Sequence, residues 1–332
     1  MKTIFATTTL FFLPQISNAH VKWFSRSSDP TIISFTSFNT QAFWFLLILS
    51  VVALALVVYL DRILESWKPF VRFNTYLESY GNRADVILRV FTGAALLLSW
   101  QAGAMIAPEL QANELVGWIQ FFLSLCLLTA ATTPIAGIGM LVLYFYGISS
   151  YGIFHMLDYL VYPAIGYFLI MTVIKNQKLA QTKIPALYFG LGFSLLWAAL
   201  EKLFFPHWGL DVLRQQPNLS MGLPHDFFLM ACAFIELCLG YLLIIGLLQR
   251  PLSIIITLVF FTTSAFFGKT EVIGHTILHG ALLVFAVLGP GSYYPTPIRF
   301  HHRLVLRSAF ATLNFVVLVG FLGVAYYWLA TA

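Results

Sequence analysis

Ten stretches of this chain are each close to the length and apolarity of a bilayer-spanning helix, and this limits the fold more than any motif. Such a helix takes about 20 mostly apolar residues. Hydrophobic residues make up 60% of the sequence and charged residues 9%, against about 25% charged in an ordinary soluble domain. The sequence therefore predicts an all-α polytopic membrane helix bundle surrounded by a lipid bilayer. The ten predicted spans are residues 42–60, 85–106, 116–133, 135–150, 154–174, 185–204, 227–248, 251–268, 271–288 and 309–330.

The first 19 residues have the parts of a secretory signal peptide. Lys2 supplies a positive charge, a short apolar stretch follows, and Ser17 and Ala19 are small residues at the cleavage positions. Cleavage after Ala19 would make His20 the N-terminal residue of the mature chain. We expect residues 20–41 to form a periplasmic segment.

Basic residues are distributed unevenly between the two sides of the predicted bundle. With the mature N-terminus outside, twelve Lys and Arg residues lie on the cytoplasmic side and five on the outer side, which is the expected positive-inside bias. The sequence therefore predicts a protein of the bacterial inner membrane with both termini in the periplasm. The net charge of +5 reflects loops beside anionic lipid headgroups and requires no nucleic-acid partner. The twelve are Arg62, Lys68, Arg72, Arg83, Arg89, Lys175, Lys178, Lys183, Arg250, Arg299, Arg303 and Arg307, and the five are Lys22, Arg26, Lys202, Arg214 and Lys269.

Eight of the ten spans fall into two sets of four, which indicates an internal duplication. The first set covers residues 85–174 and the second residues 185–290, and both would start and end on the cytoplasmic side, as a parallel repeat does. A proline begins the third helix of each set, Pro134 and Pro251. The flanking parts are residues 42–84, a first transmembrane helix with a cytoplasmic linker, and residues 291–332, a cytoplasmic loop with the last helix.

Four short motifs in the second set occur in a fixed order. They are GFSLLWAALEKLF at residues 192–204, GLP at 222–224, IELCLG at 235–240 and GLLQR at 246–250. With these motifs the segment resembles the DoxX/DoxD family of four-helix membrane proteins, over roughly residues 185–290. The resemblance implies a membrane partner in respiratory or sulfur-linked redox chemistry, coupled to a quinone in some members. The first set departs from the pattern, because no acid stands at the position of Glu236 and no lysine at that of Lys202.

The ninth predicted span carries three polar side chains on one helical stripe. Glu271, His275 and His279 follow an i, i+4, i+8 pattern. Two histidines one turn apart can share a metal ion, form a proton relay or contact a quinone head group. The alternative is that all three hydrogen-bond to neighbouring helices. Glu236 lies near the bilayer midplane, where ionisable side chains are expensive and therefore candidates for function, and we assign it proton transfer.

Three further acids and histidines are candidates for cofactor binding near the outer boundary. His155 and Asp158 share a face of the fifth span with Tyr162, although an interfacial belt of His and Tyr gives the same pattern. Glu201 is expected to face the bundle while Lys202 extends outward to the membrane surface. His155, His275 and His279 could also supply axial ligands to a non-covalent haem b.

His20 gives the most specific metal hypothesis. An N-terminal histidine offers its α-amine and ring nitrogen as a chelating pair, and one more imidazole would complete a set that suits copper. The outer connection, residues 205–226, is predicted to be a structureless lid or binding segment. It holds two more of the histidines, His207 and His225.

The remaining motifs narrow the choice of function. A Walker loop, an HExxH zinc motif and a CxxCH haem motif are all absent, so neither nucleotide binding nor covalent haem is expected. We predict a redox-associated membrane protein whose periplasm-facing His/Glu site binds a metal, with copper preferred, or a quinone, together with a membrane or periplasmic redox partner protein. The alternatives are a metal or small-solute transporter and a scaffold subunit for a periplasmic enzyme.

Overall fold

The computed structural model describes residues 24–25, 31–289 and 303–332, and this part of the chain contains helices joined by turns and loops, with one isolated bridge and no strand. The predicted all-α class is confirmed. The predicted signal peptide, His20 and the histidines at 301 and 302 lie outside the described residues. The helices are α1 (Gln41–Ser66), α2 (Lys68–Glu78), α3 (Ala84–Gln101), α4 (Glu114–Cys126), α5 (Thr133–Tyr151), α6 (Ile153–Met156), α7 (Val161–Met171), α8 (Gln177–Gln181), α9 (Lys183–Phe204), α10 (Pro206–Gln215), α11 (His225–Ile245), α12 (Gln249–Phe267), α13 (Lys269–Leu288) and α14 (Leu304–Thr331).

Fewer helices than the predicted ten are long enough to cross a bilayer. In the described residues eight qualify by length and composition, or nine if the pair formed by residues 153–159 and 161–171, bent by 59°, is one broken span. The helix predicted at 116–133 is instead α4, a helix of 13 residues. At 1.5 Å per residue it covers about 20 Å, which is less than the roughly 30 Å hydrocarbon core. The described part of the chain is thus a multi-pass bundle with one short apolar helix.

Residues 102–113, which connect α3 to α4, fold back into the bundle. The middle of this loop is almost fully buried. Gln120 of α4 supports it by donating to the carbonyl oxygens of Leu96 and Ala104 and by accepting from the amide of Ile106 at 2.7 Å. Irregular backbone at membrane depth is stable only where protein groups form hydrogen bonds with its amides and carbonyl oxygens. Here the Gln120 side chain forms several of these hydrogen bonds. Hydropathy cannot distinguish such a buried apolar loop from a helix end.

The two predicted four-helix sets pack against each other reciprocally. The first helix of each set lies against the last helix of the other set. The α3 helix of the first set packs on α13 of the second, and α9 of the second set packs on α7 of the first. The α1 and α14 helices pack together and also contact the second set. We call the end of the bundle where α9 ends and α11 begins the upper end, and the end where α11 ends and α12 begins the lower end.

A close helix crossing joins α9 and α11. A Cβ at Gly240 would lie 2.5 Å from the carbonyl oxygen of Gly192, and a Cβ at Gly192 would lie 2.7 Å from that of Gly240. Each glycine therefore leaves room for the backbone of the other helix. Such small residues are what allow close packing where hydrophobic burial gives no advantage over lipid.

The connection between α9 and α11 is not structureless, and that expectation was wrong. It contains α10 and a 3-10 turn at Pro217–Ser220. Pro206 occupies the first position of α10, where a missing N–H costs nothing. Trp208, Val212 and Leu213 form its buried face. The segment is an amphipathic helix that covers the upper end.

We predict that Gly240→Ala lowers the free energy of unfolding by about 1–3 kcal/mol, because the added methyl overpacks the α9–α11 crossing. The matched control is Gly320→Ala, since a Cβ at Gly320 in α14 meets no atom within 4 Å. Reversible unfolding in detergent micelles measures both. An equal effect at the two positions would contradict the assigned role of the crossing.

Candidate functional site

A cavity of about 260 Å³ opens at the upper end between α9, α10, α11, α12 and α13. We call it the main cavity. Most of its wall is apolar, from side chains such as Leu195, Phe228 and Val259. Four acidic or basic side chains also line it: Lys202, Glu236, Glu271 and His275. Three of these four, all except Lys202, were predicted from the sequence as site residues.

Lys202 turns into the bundle and pairs with Glu236. Its Nζ lies 2.7 Å from Glu236 Oε2 and donates to the carbonyl oxygen of Ala198 at 3.4 Å. The lysine side chain is 11% exposed and the glutamate side chain 28%. The expectation that Lys202 extends outward was therefore wrong. A carboxylate deep in the bundle with an ammonium in hydrogen-bond contact is more favourable than two separate charges in hydrocarbon.

Glu271 and His275 form a second polar couple on the opposite wall, one helical turn apart. Glu271 Oε1 lies 3.4 Å from His275 Nδ1, and both side chains are buried. The imidazole is stacked on Phe260 with ring centroids 4.1 Å apart. Glu271 also interacts electrostatically with Lys202 and Glu236. The two couples therefore act on the same enclosed space.

His279 does not join this group. Its ring is stacked on Phe261 at 4.4 Å, it is 8% exposed, and its Nδ1 has no hydrogen-bond partner. Of the three residues on this helical stripe, Glu271 and His275 line the main cavity, whereas His279 stacks on Phe261. No three His, Cys, Asp or Glu side chains in the described ranges converge as metal ligands. The metal role assigned to Glu271, His275, His279 and His20 stays a prediction, and His20 lies outside those ranges.

The first half of the chain contains a buried acid that the sequence did not single out. Glu109, in the buried loop, accepts hydrogen bonds at one carboxylate oxygen from Tyr159 and from His155, whose Nε2 lies 2.8 Å away. Its side chain is 4% exposed, and the second oxygen has no hydrogen-bond partner. The available signal was the presence of an acid in a chain with only 13 Asp and Glu residues. It lies beside Pro108 in the connection between the predicted spans 85–106 and 116–133.

Two more predicted residues, Asp158 and Glu201, do not line the main cavity. Asp158 lines a small cavity of about 30 Å³ with Tyr162 and Ser194. The Leu195 and Phe260 side chains line both this space and the main cavity. Glu201 is buried and interacts electrostatically with Lys202 and with Tyr326 of α14. The break in the helix at residues 157–160 means that His155, Asp158 and Tyr162 do not share one continuous helical face.

Residues just after the predicted cleavage site border the main cavity. Phe24 lines it and stacks on Phe267 with ring centroids 4.4 Å apart. Ser25 donates to Asp211 of α10 at 3.2 Å, and Gln215 donates to the carbonyl oxygen of Phe24 at 3.4 Å. Phe24 and Ser25 therefore cover part of the cavity together with α10.

Part of the second half matches a known protein family. The DoxX family model matches residues 187–269. This DoxX segment covers about a quarter of the chain and extends from α9 to the first residue of α13. It includes Lys202 and Glu236, while Glu271 and His275 follow directly after it. The predicted resemblance is therefore confirmed over this segment.

The other comparisons gave no relatives. No match was found among curated proteins, and none among solved structures. The DoxX segment supports a membrane protein of that kind for the second half. Glu109, His155 and Asp158 all lie outside it.

We predict that Lys202→Met lowers the free energy of unfolding by about 3 kcal/mol, because it leaves the Glu236 carboxylate without its counter-charge inside the bundle. Adding Glu236→Gln to that variant restores most of the loss. Reversible denaturant unfolding in micelles measures all three proteins as a double-mutant cycle.

The chain offers a matched control for this cycle. Lys183 Nζ also lies 2.7 Å from a carboxylate, but its partner Asp85 is 43% exposed. Lys183→Met should therefore cost less than about 1 kcal/mol. If Lys183→Met lowered the free energy of unfolding as much as Lys202→Met does, burial would not determine the strength of these ion pairs.

Proposed function

We propose that the main cavity binds the head group of a membrane quinone, and that the protein is a quinone-coupled partner in redox chemistry. The observation that carries this proposal is the combination of an apolar cavity with two polar couples, Lys202–Glu236 and Glu271–His275. Small-molecule sites are typically concave and apolar with a few polar groups that fix orientation. The redox role implied by the DoxX resemblance agrees with it.

Each polar couple has a distinct role in this proposal. Lys202, held in place by Glu236, can donate a hydrogen bond to a carbonyl oxygen of the ring. Glu271 Oε1 and His275 Nδ1, 3.4 Å apart, can hold one proton between them and exchange it with a ring hydroxyl. A bound quinone supplies two-electron, two-proton chemistry, with a membrane or periplasmic redox protein as the electron partner.

The apolar walls complete the site. Leu195, Phe228 and Val259 exclude water, which strengthens the electrostatic interactions of Lys202 and Glu271. Phe260 orients the imidazole by stacking on it. Because His275 rather than His279 lines the cavity, we assign proton exchange to the Glu271–His275 couple. Glu236, proposed from the sequence as the proton carrier, instead positions Lys202.

The other predicted cofactors fit the described residues less well. Copper prefers three or more nitrogen or sulfur ligands, and among the described residues only His275 and Cys232 line the main cavity as ligands of this kind. A haem b needs two axial histidines facing one planar space. His155 is engaged by Glu109, and His279 by Phe261, so these two and His275 do not face one another. Copper with His20 remains an alternative that metal analysis tests directly.

We also propose that the upper end faces the periplasm of a bacterial cell and that residues 1–19 are cleaved. The charge distribution of the connections supports this orientation. We retain the proposal of two tandem four-helix units, residues 85–174 and 185–290. The reciprocal packing of α3 on α13 and of α9 on α7 supports it, because duplicated units related by a pseudo-symmetry axis make equivalent contacts twice.

A binding experiment tests the proposed function. We expect protein purified without an N-terminal tag to bind a short-chain quinone, followed by intrinsic tryptophan fluorescence. Glu271→Gln and His275→Gln should each raise the Kd about tenfold, the effect of losing one hydrogen bond to a charged group. His279→Gln, one turn further along the same helix, should leave the Kd within about twofold.

Two results would reject the proposal. One is the absence of quinone binding by the unaltered protein, and the other is an equal loss of binding in all three variants. Elemental analysis of the same samples gives the competing outcome. Stoichiometric copper that is lost with both His275→Gln and His279→Gln would replace the quinone by a metal site.

A further inference from the structure

A second cavity, of about 320 Å³, lies at the lower end of the bundle. We call it the basal cavity. It is bounded by the end of α1, by α2, by the turn between α11 and α12 and by the start of α14. Its polar lining includes Asp61, Glu65, Asn74, Glu78, Gln249 and Arg307. Because α11 and α12 run from one end of the bundle to the other, this space is separate from the main cavity.

Gln249 is the most unusual residue of the basal cavity. It is 2% exposed, yet neither its Oε1 nor its Nε2 has a hydrogen-bond partner. Asn74 Oδ1, also buried and on the cavity wall, has none either. A buried polar group left unsatisfied destabilises the fold. These three unsatisfied amide atoms belong to two residues of the cavity wall, and a polar ligand that offers both donors and acceptors would satisfy them.

The turn before Gln249 is built in a costly conformation that fixes this glutamine. Leu248 has a φ of 49°, in the left-handed region that non-glycine residues rarely adopt. The amide of Leu248 donates to Asp61 Oδ1 at 3.2 Å, which ties the turn to α1. Gln249 then occupies the first position of α12. The positive end of the α12 dipole therefore lies at the cavity, where it favours an anionic group.

The charged residues around the cavity carry both signs. Arg307 lines it, and so does Arg250, whose guanidinium donates to the carbonyl oxygens of Ala286 and Val287. Glu78 Oε2 lies 3.9 Å from Arg250. Asp61 and Glu65 add two more carboxylates. A ligand with charge of one sign would meet repulsion from part of this lining, whereas a zwitterion would meet a partner for each of its charges.

The α2 helix places the cavity at the level of lipid headgroups. Val71, Phe73 and Tyr76 are exposed apolar or aromatic residues, and Lys68 and Arg72 are exposed bases on the same helix. A short amphipathic helix with basic residues and exposed aromatics is typical of the membrane interface. It follows the exposed Trp67 at the end of α1, a residue type enriched at that depth. One wall of the basal cavity is therefore an interfacial helix.

We propose that the basal cavity binds a phosphoethanolamine group, the zwitterionic headgroup of an aminophospholipid. The phosphate would lie toward Gln249 Nε2, Arg307 and the start of α12. The primary ammonium would lie toward Glu78, Gln249 Oε1 and Asn74 Oδ1. This site is independent of the quinone proposal, because it lies at the other end of the bundle and uses none of the same residues.

Native mass spectrometry of the protein in mixed-lipid nanodiscs tests this site. We expect one retained phosphatidylethanolamine per chain, with about a tenfold preference over phosphatidylcholine, whose methylated ammonium cannot donate hydrogen bonds. Phosphatidylglycerol, which lacks the cation, should also be retained less. Gln249→Leu should reduce the retained phosphatidylethanolamine about tenfold, because it removes both amide atoms.

Three further measurements make the result decisive. Gln249→Leu should leave the thermal midpoint unchanged or raise it, since it removes unsatisfied groups, whereas a purely structural glutamine would lower it. Gln177→Leu, an exposed glutamine of α8, is the matched control and should retain lipid normally. Soluble glycerophosphoethanolamine that binds as tightly as the lipid would identify a free molecule as the ligand of the same site.

Two outcomes overturn the proposal. The first is equal retention of phosphatidylethanolamine, phosphatidylcholine and phosphatidylglycerol by the unaltered protein. The second is unchanged lipid retention in Gln249→Leu. Either would mean that the basal cavity holds water and no specific headgroup.

Discussion

The backbone contact between α9 and α11 at Gly192 and Gly240 determines where the charged groups of the second half meet. Side chains on a helix lean toward its N-terminus. In this antiparallel pair, Lys202 therefore leans toward the lower end and Glu236 toward the upper end, and the two meet at 2.7 Å. A wider crossing would separate them and expose a lone carboxylate to lipid. The geometry of the main cavity thus depends on two residues that have no side chain.

The two halves of the bundle use their interiors differently. In the first half the connection after α3 turns inward and fills the space, and its acid, Glu109, is held by His155 and Tyr159. In the second half the corresponding connection forms α10 and stays on top, so a cavity remains below it. If the halves arose by duplication, one copy became a packed support and the other kept an open site. The DoxX match to the second half alone agrees with that difference.

Hydropathy predicted the helices well because hydrocarbon permits few alternatives to a helix. It placed Glu236, Glu271 and His275 correctly in the interior, since charges in apolar spans must face protein. It could not place Lys202, because a long lysine side chain can extend outward to the membrane surface or turn into the bundle. Glu236, on another helix, fixes the inward direction by pairing with it. Glu109 was missed for the same reason: its partners are about 50 residues away in sequence, and its burial follows from the folding of a loop. The division between His275 and His279 depends on which of Phe260 and Phe261 each ring meets, which helical spacing does not reveal.

The 13-residue α4 helix has a consequence for the surrounding membrane. Trp118 and Phe122 on its outer face are exposed, so lipid contacts this side of the bundle over a shorter apolar height than elsewhere. A bilayer adapts to a short span by thinning locally, at a cost of fractions of a kcal/mol per ångström. The protein would therefore dimple the membrane beside α4, and would accumulate where the bilayer is already thin. Two copies that shared one such dimple would deform less lipid than two copies apart, which gives the membrane itself a means of bringing them together.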